Sequence, residues 1–108
     1  MSLYEYRVYE AVPGRLPALN RRFQEITLNY FRKHGIGVVG FFEEVVGTSN
    51  ELHYILKYDD FGHRERAWGA FQADEGWIRD RAETEKDGPI VARVRNRFWR
   101  PTPYSAMQ

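Results

Sequence analysis

"LPALNRRFQEITLNYFRKHGIGVVGFFEEVVG", residues 16–47, contains a change of hydropathy period on which the fold turns. Leu16, Leu19, Phe23, Ile26 and Tyr30 recur at alternating steps of three and four, which is one face of an amphipathic helix. Arg21, Arg22, Glu25, Asn29 and Lys33 fall on the other side. Pro17 suits a first helical turn, where its missing N–H leaves no bond unmade. Gly35 can adopt a positive φ and stop the helix. From Ile36 the chain turns β-branched and aromatic, so 36–47 reads as a strand, with Gly40 marking a bulge or a close backbone approach.

Outward from this stretch the other elements follow. "LYEYRVYE" at 3–10 is a Tyr- and Val-rich strand closed by the turn "VPGR" at 12–15. Residues 51–59 form a strand that pairs with 36–47 as a hairpin through "TSN" at 48–50. Asp59 and Asp60 offer caps for a helix over 61–73, and Asp74 caps a shorter one that contains Trp77 and Ile78. "KDGP" at 86–89 breaks it, and 90–99 alternates as a last strand. Residues 101–108 read as an extended, Pro-containing tail that needs a surface to lie on. The order β-α-β-β-α-(α)-β with right-handed crossovers is the ferredoxin-like split βαβ. This is an α+β unit with a four-stranded antiparallel sheet in the order 4-1-3-2, spanning 3–100 as one domain.

Composition narrows the function. Hydrophobic residues make up 43% and aromatic residues 16% of the 108, enough to bury one core. A net charge of +1 argues against nucleic acid as a partner. The absence of cysteine excludes disulfides, thiol catalysis and thiolate metal sites. No apolar run approaches the ~20 residues that span a bilayer, and "MSLYEYRVYE" does not read as a signal peptide, so a soluble cytoplasmic protein with no membrane partner is expected.

Alternation assigns sheet faces. In the last strand Ile90, Ala92, Val94 and Phe98 should meet the helices, with Asn96 an exception, while Arg93, Arg95, Arg97 and Trp99 point away. The same parity puts Tyr4, Tyr6 and Val8, with Leu52, Tyr54, Leu56 and Tyr58, against the helices. Glu5, Arg7, Tyr9, His53, Ile55 and Lys57 then face away. The second strand is apolar on both sides, Val38, Phe42 and Val46 against Val39, Phe41 and Val45, and a bulge at Gly40 would shift its parity. A sheet face carrying Val39, Phe41, Val45, Ile55, Tyr9 and Trp99 calls for cover by another chain, most simply a two-fold copy of itself.

At "YEYRVYEAVPGRLPALNRRF", "KHGIGVVGFF", "NELHYILKYDDFGHRER" and "FQADEGW" the chain resembles the NIPSNAP family over nearly its whole length. The resemblance implies a dimeric α+β barrel, in which two ferredoxin-like sheets face each other, and a biochemical activity that is poorly defined. The family's usual hairpin-to-helix joint carries a His where this chain has Tyr54. The wider fold includes cofactor-free monooxygenases and haem-degrading enzymes that use a cleft between helices and sheet.

Candidate chemistry is sparse. His34 closes the helix at its negative end, or else serves as an acid/base group at the mouth of a helix–sheet cleft. Tyr6, Tyr54, Tyr58 and Trp68 are the aromatic residues that such a cleft would use, for a small aromatic or apolar ligand, or else they fill the core. Arg93, Arg95 and Arg97 make ion pairs with Glu5 in a dimer interface shared with Val39, Phe41, Ile55 and Trp99, or alternatively form an anion site. The three histidines lie on different elements without metal-ligand spacing, and no cofactor motif is present, so neither metal nor cofactor is expected. Two functions are consistent with these features. One is a small homodimeric binding or interaction module with an aromatic cleft; the other is a cofactor-independent or haem-linked monooxygenase.

Overall fold

In the computed structural model, which describes residues 2–108, β1 (Leu3–Ala11) leads into α1 (Leu16–Arg22). A π-helical turn (Phe23–Thr27) joins α1 to α2 (Leu28–Lys33). β2 (Gly37–Glu43) and β3 (Glu51–Tyr58) form the hairpin, α3 (Phe61–Ala73) and α4 (Glu75–Thr84) follow, and β4 (Val91–Trp99) returns to the sheet. All pairings are antiparallel and the order is β2-β3-β1-β4, the expected order read from the opposite edge. No helix among the described residues is long and apolar enough to cross a membrane.

The helix boundaries follow local chemistry. Asp60 accepts from the His63 amide at 2.7 Å, and Asp74 Oδ1 accepts from the amides of Gly76 and Trp77 at 2.9 and 3.3 Å, so both acids satisfy amides that the first turn leaves open. Gly35 ends α2 with φ +71°. The π turn alters the helical stripe. It inserts an extra residue, so the face toward the sheet continues through Leu19, Phe23 and Thr27 to Phe31 rather than to Tyr30. Tyr30 sits to one side and donates to Asp80 at 2.6 Å.

Gly40 marks the expected bulge, and the atoms crowding it belong to a side chain rather than to another backbone. The β2–β3 register shifts between Val38 and Gly40, and a Cβ at Gly40 would meet the Phe42 ring at 3.0 Å. β2 stops at Glu43, so Val45 and Val46 lie exposed in a loop instead of in the strand.

Register corrects two face assignments. Arg7 stands opposite Tyr54, and Glu5 opposite Leu56 and Phe98, so odd residues of β1 share the helix-facing side with even residues of β3 and β4. Tyr6 is therefore on the open face, beside His53 and Trp99, and Glu5, Arg7 and Tyr9 point at the helices. Phe41 stands opposite Tyr54, stacked on it at 4.8 Å between centroids, and is also a helix-side residue. Its neighbour Phe42 is the open-face residue, 55% exposed. Both corrections have one cause: strand parity carries no meaning between strands until register and bulges are known.

The core lies between the sheet and the helices, around Leu19, Phe23, Phe31, Tyr54, Phe71 and Trp77. Residues 101–108 do not run out extended. They turn, with the Ser105 amide bonding to the Thr102 carbonyl, and come back over the open face, where the Tyr4 hydroxyl donates to the Gln108 carbonyl at 2.9 Å.

Candidate functional site

On its helix-facing side β1 buries a charged cluster. Glu5 has no solvent exposure and accepts from Arg7 Nη1 at 2.8 Å, Asn96 Nδ2 at 2.9 Å and Arg64 Nη2 at 3.2 Å. Burial pushes its pKa up, but these donors outweigh burial and hold the carboxyl below its ordinary 4.5. Asn96, the polar exception in β4, is thereby explained. Arg7 Nε donates to the Tyr54 hydroxyl at 2.8 Å, and its guanidinium carbon lies 4.3 Å from the centroid of Trp68. Arg64 approaches the same indole at 5.3 Å, so Trp68 is flanked by two cations. Burial lifts the Tyr54 hydroxyl well above the usual phenol pKa, so it stays a neutral acceptor toward Arg7.

Beside this cluster the helices leave the sheet and open a cleft of about 170 Å³. Arg7, Tyr9, Val91 and Val94 line it from the sheet, Arg22, Phe23 and Thr27 from the π turn and its start, and Phe71, Gln72, Trp77 and Arg81 from α3 and α4. The walls are aromatic. Its polar groups are three arginines, Tyr9, Thr27 and Gln72, with no carboxylate or imidazole among the lining residues. π turns recur at functional sites because the extra residue reshapes one side of a helix.

The open face holds a second concavity of about 330 Å³, bounded by Tyr6, Val8, Glu44, Thr48, Glu51, His53, Arg95, Asn96 and Arg97. His53 Nε2 lies 2.9 Å from Glu44 and 3.1 Å from Glu51, and the Tyr6 hydroxyl is hydrogen-bonded to Nδ1 at 2.5 Å. Glu44, Glu51 and His53 place one ligand atom each within 4.8 Å of one another, a set that could hold a cation. Arg95 Nη2 at 2.7 Å from Glu51 competes for the same charge. This grouping has no signature in the residue order, because Glu44 comes from a loop and the other two from β3.

The anticipated cleft residues do not converge. Tyr54 and Tyr58 are fully buried on one side of β3, and the Tyr58 hydroxyl is buried without a hydrogen-bond partner among the described residues. Trp68 is half-buried on α3 over Arg7, while Tyr6 stacks on Trp99 at 4.8 Å on the other side of the sheet. His34 caps the end of α2, and its Nε2–H donates to Asp74 Oδ2 at 2.7 Å, where Lys33 Nζ also donates at 2.8 Å. Hydrogen bonds from Lys33 and His34 hold the Asp74 carboxyl well below the carboxylate range. The helix-end role of His34 thus has a defined partner, the N-cap of α4.

On the open face lie Ile55 and Trp99, while Val39 sits in the β2 bulge without a partner in the β2–β3 register. Of the arginine row, Arg93 pairs with Glu10 at 3.2 Å and Arg95 with Glu51. Glu5 is not their partner, since it lies on the other side of the sheet. Arg22, Phe23, Thr27 and Arg81 were not singled out from the sequence. Arg22 ends the regular helix α1 three residues after Leu19, at the edge of its sheet-facing stripe, and is buried there against α4.

A family model described as NIPSNAP matches residues 4–106. No curated protein matches the chain. Among solved structures, a NIPSNAP family protein from Agrobacterium tumefaciens is 17% identical, with TM-score 0.87 and 100% of each chain covered. An uncharacterized NIPSNAP-like domain protein from Burkholderia xenovorans is 20% identical, with TM-score 0.86, covering 96% of this chain and 88% of that one. SnoaB, a cofactor-independent oxygenase from Streptomyces nogalater, is more distant at 15% identity and TM-score 0.63, covering 96% and 98%.

Proposed function

This chain belongs to the NIPSNAP family, and from that premise we propose that it is a homodimeric small-molecule-binding module whose ligand enters the helix–sheet cleft of each subunit. The observation that carries the reading is the cleft at the π turn, with aromatic walls and a few fixed polar groups, the usual make-up of a ligand pocket. The dimer is supported by the open face, where the Tyr6–Trp99 stack, Ile55 and the exposed Phe42 lie beside paired charges. A two-fold copy would cover these side chains.

A monooxygenase activity is the alternative, supported by the likeness in fold to SnoaB. The cleft's chemistry favours binding over oxygenation. Its lining offers no imidazole or carboxylate to take a substrate proton, and His34 is engaged by Asp74.

Native mass spectrometry of protein purified from its own host tests both parts. The expected result is a dimer, with retained mass of one small molecule per subunit that Trp77→Ala or Phe23→Ala abolishes. A monomer at micromolar concentration refutes the dimer. A retained molecule that survives both cleft variants, or oxygen consumption with an added aromatic substrate, refutes the binding reading.

A further inference from the structure

We propose that the ligand of the helix–sheet cleft is a small planar acid: a single apolar or aromatic ring that carries one carboxylate. This rests on the cleft being the binding site and adds the class of molecule it takes. Size sets the ring. The cleft holds about 170 Å³, close to the ~150 Å³ apolar cavity that accommodates benzene, so one ring fills it. Phe23, Phe71 and Trp77 supply faces and edges against which a ring packs.

Charge sets the carboxylate. Arg7, Arg22 and Arg81 line the cleft without an acid among them. The two carboxylates that reach these arginines are each shared: Glu5 serves Arg7 and Arg64, and Glu85 serves Arg22 at 2.9 Å and Arg81 at 3.6 Å. Even with the exposed Glu65 counted against Arg64, the group keeps an excess positive charge.

Arg22 is the decisive residue. Its side chain is only 4% exposed, and only Nη1 is bonded, to Glu85 and to the Thr84 hydroxyl at 3.4 Å. Its buried Nε has no partner among the described residues. A buried donor on a cation is costly to leave unmade, and a planar carboxylate is the acceptor that matches a guanidinium fork. Arg22 is followed directly by the π turn that puts Phe23 and Thr27 on the same cleft, so ring site and anion site adjoin.

The test is a protein-observed NMR titration with two probes of one shape, sodium benzoate and benzamide, at about 20 mM and about 200 mM salt. Both should move the Trp77 indole and Thr27 amide signals saturably, with benzoate tighter by about tenfold or more and weakening with salt, as expected for a charge-assisted pair. Arg22→Gln should remove the preference for benzoate while benzamide binding stays. If that variant does not fold, Arg81→Gln, at a half-exposed position, should reduce the same preference. Equal affinity of the two probes in wild type would overturn the acid assignment and leave the cleft as a binding site. Absence of any saturable shift from either probe would overturn the cleft reading and this inference with it.

Discussion

Replacing Glu5 by Gln preserves the side chain's shape and removes one negative charge from a position with no solvent exposure. Arg7, 7% exposed, then keeps its positive charge against Tyr54, Tyr9 and Trp68 with no acid to offset it. Breaking a buried pair in this way costs about 3–5 kcal/mol. That is a large share of the ~5–15 kcal/mol holding a domain of this size, and corresponds to a fall in Tm of at least about 12 °C. Urea denaturation at neutral pH reads the loss. The double variant Glu5→Gln, Arg7→Gln removes both charges and should cost less than the sum of the singles by about 1–3 kcal/mol.

A second signature is pH. The folded-state pKa of Glu5 is depressed, so the stability its charge supplies is present above about pH 4.5 and is lost as pH falls below it. Glu5→Gln should lack that part of the acid limb. A loss under about 1 kcal/mol, with additive singles and an unchanged acid limb, would refute the argument and mean that water reaches the cluster.

Trp77, 6% exposed and packed on Phe71 at 4.8 Å, should cost about 3–5 kcal/mol on truncation to Ala, read by denaturant melt. Phe42→Asp should yield monomer or aggregate in size-exclusion light scattering, whereas Phe41→Ala should lower stability by a comparable ~3–5 kcal/mol and leave the dimer intact. The reverse pattern would contradict the face assignment of β2. Asp74 is ionised well below the usual carboxylate range, so its support of the α2 end and the α4 start is present above about pH 3.8 and fades as pH falls below that value. Asp74→Asn should flatten that part of the acid unfolding curve in circular dichroism, and an identical curve would show the Lys33 and His34 contacts to be idle.

Much of the fold was readable in the residues themselves. The three-four spacing after Leu16, the stop at Gly35, the caps at Asp60 and Asp74, the bulge at Gly40 and the alternation of β4 are local rules, each decided within a few residues, and right-handed crossovers then leave one strand order. The family's sequence pattern pointed to the same unit. The site was less readable, for physical reasons. Hydropathy favours Tyr4, Tyr6 and Val8 for the core over Glu5, Arg7 and Tyr9, yet β1 buries the charged set, because Asn96 and Arg64 from distant elements complete its hydrogen bonds.

Register made that choice. A one-residue slip exchanges the two faces of a strand, and the register belongs to the pairing of strands rather than to any one of them. The π turn is a second such case. Nothing in "RRFQEIT" departs from a helical pattern, and the extra residue that sets Phe31 rather than Tyr30 against the sheet and places Phe23 and Thr27 on the cleft is visible only when helix, sheet and α4 pack together. Period, caps and turn residues are properties of the chain; which side of β1 is buried, where Arg22 points and what His34 holds are properties of the packing.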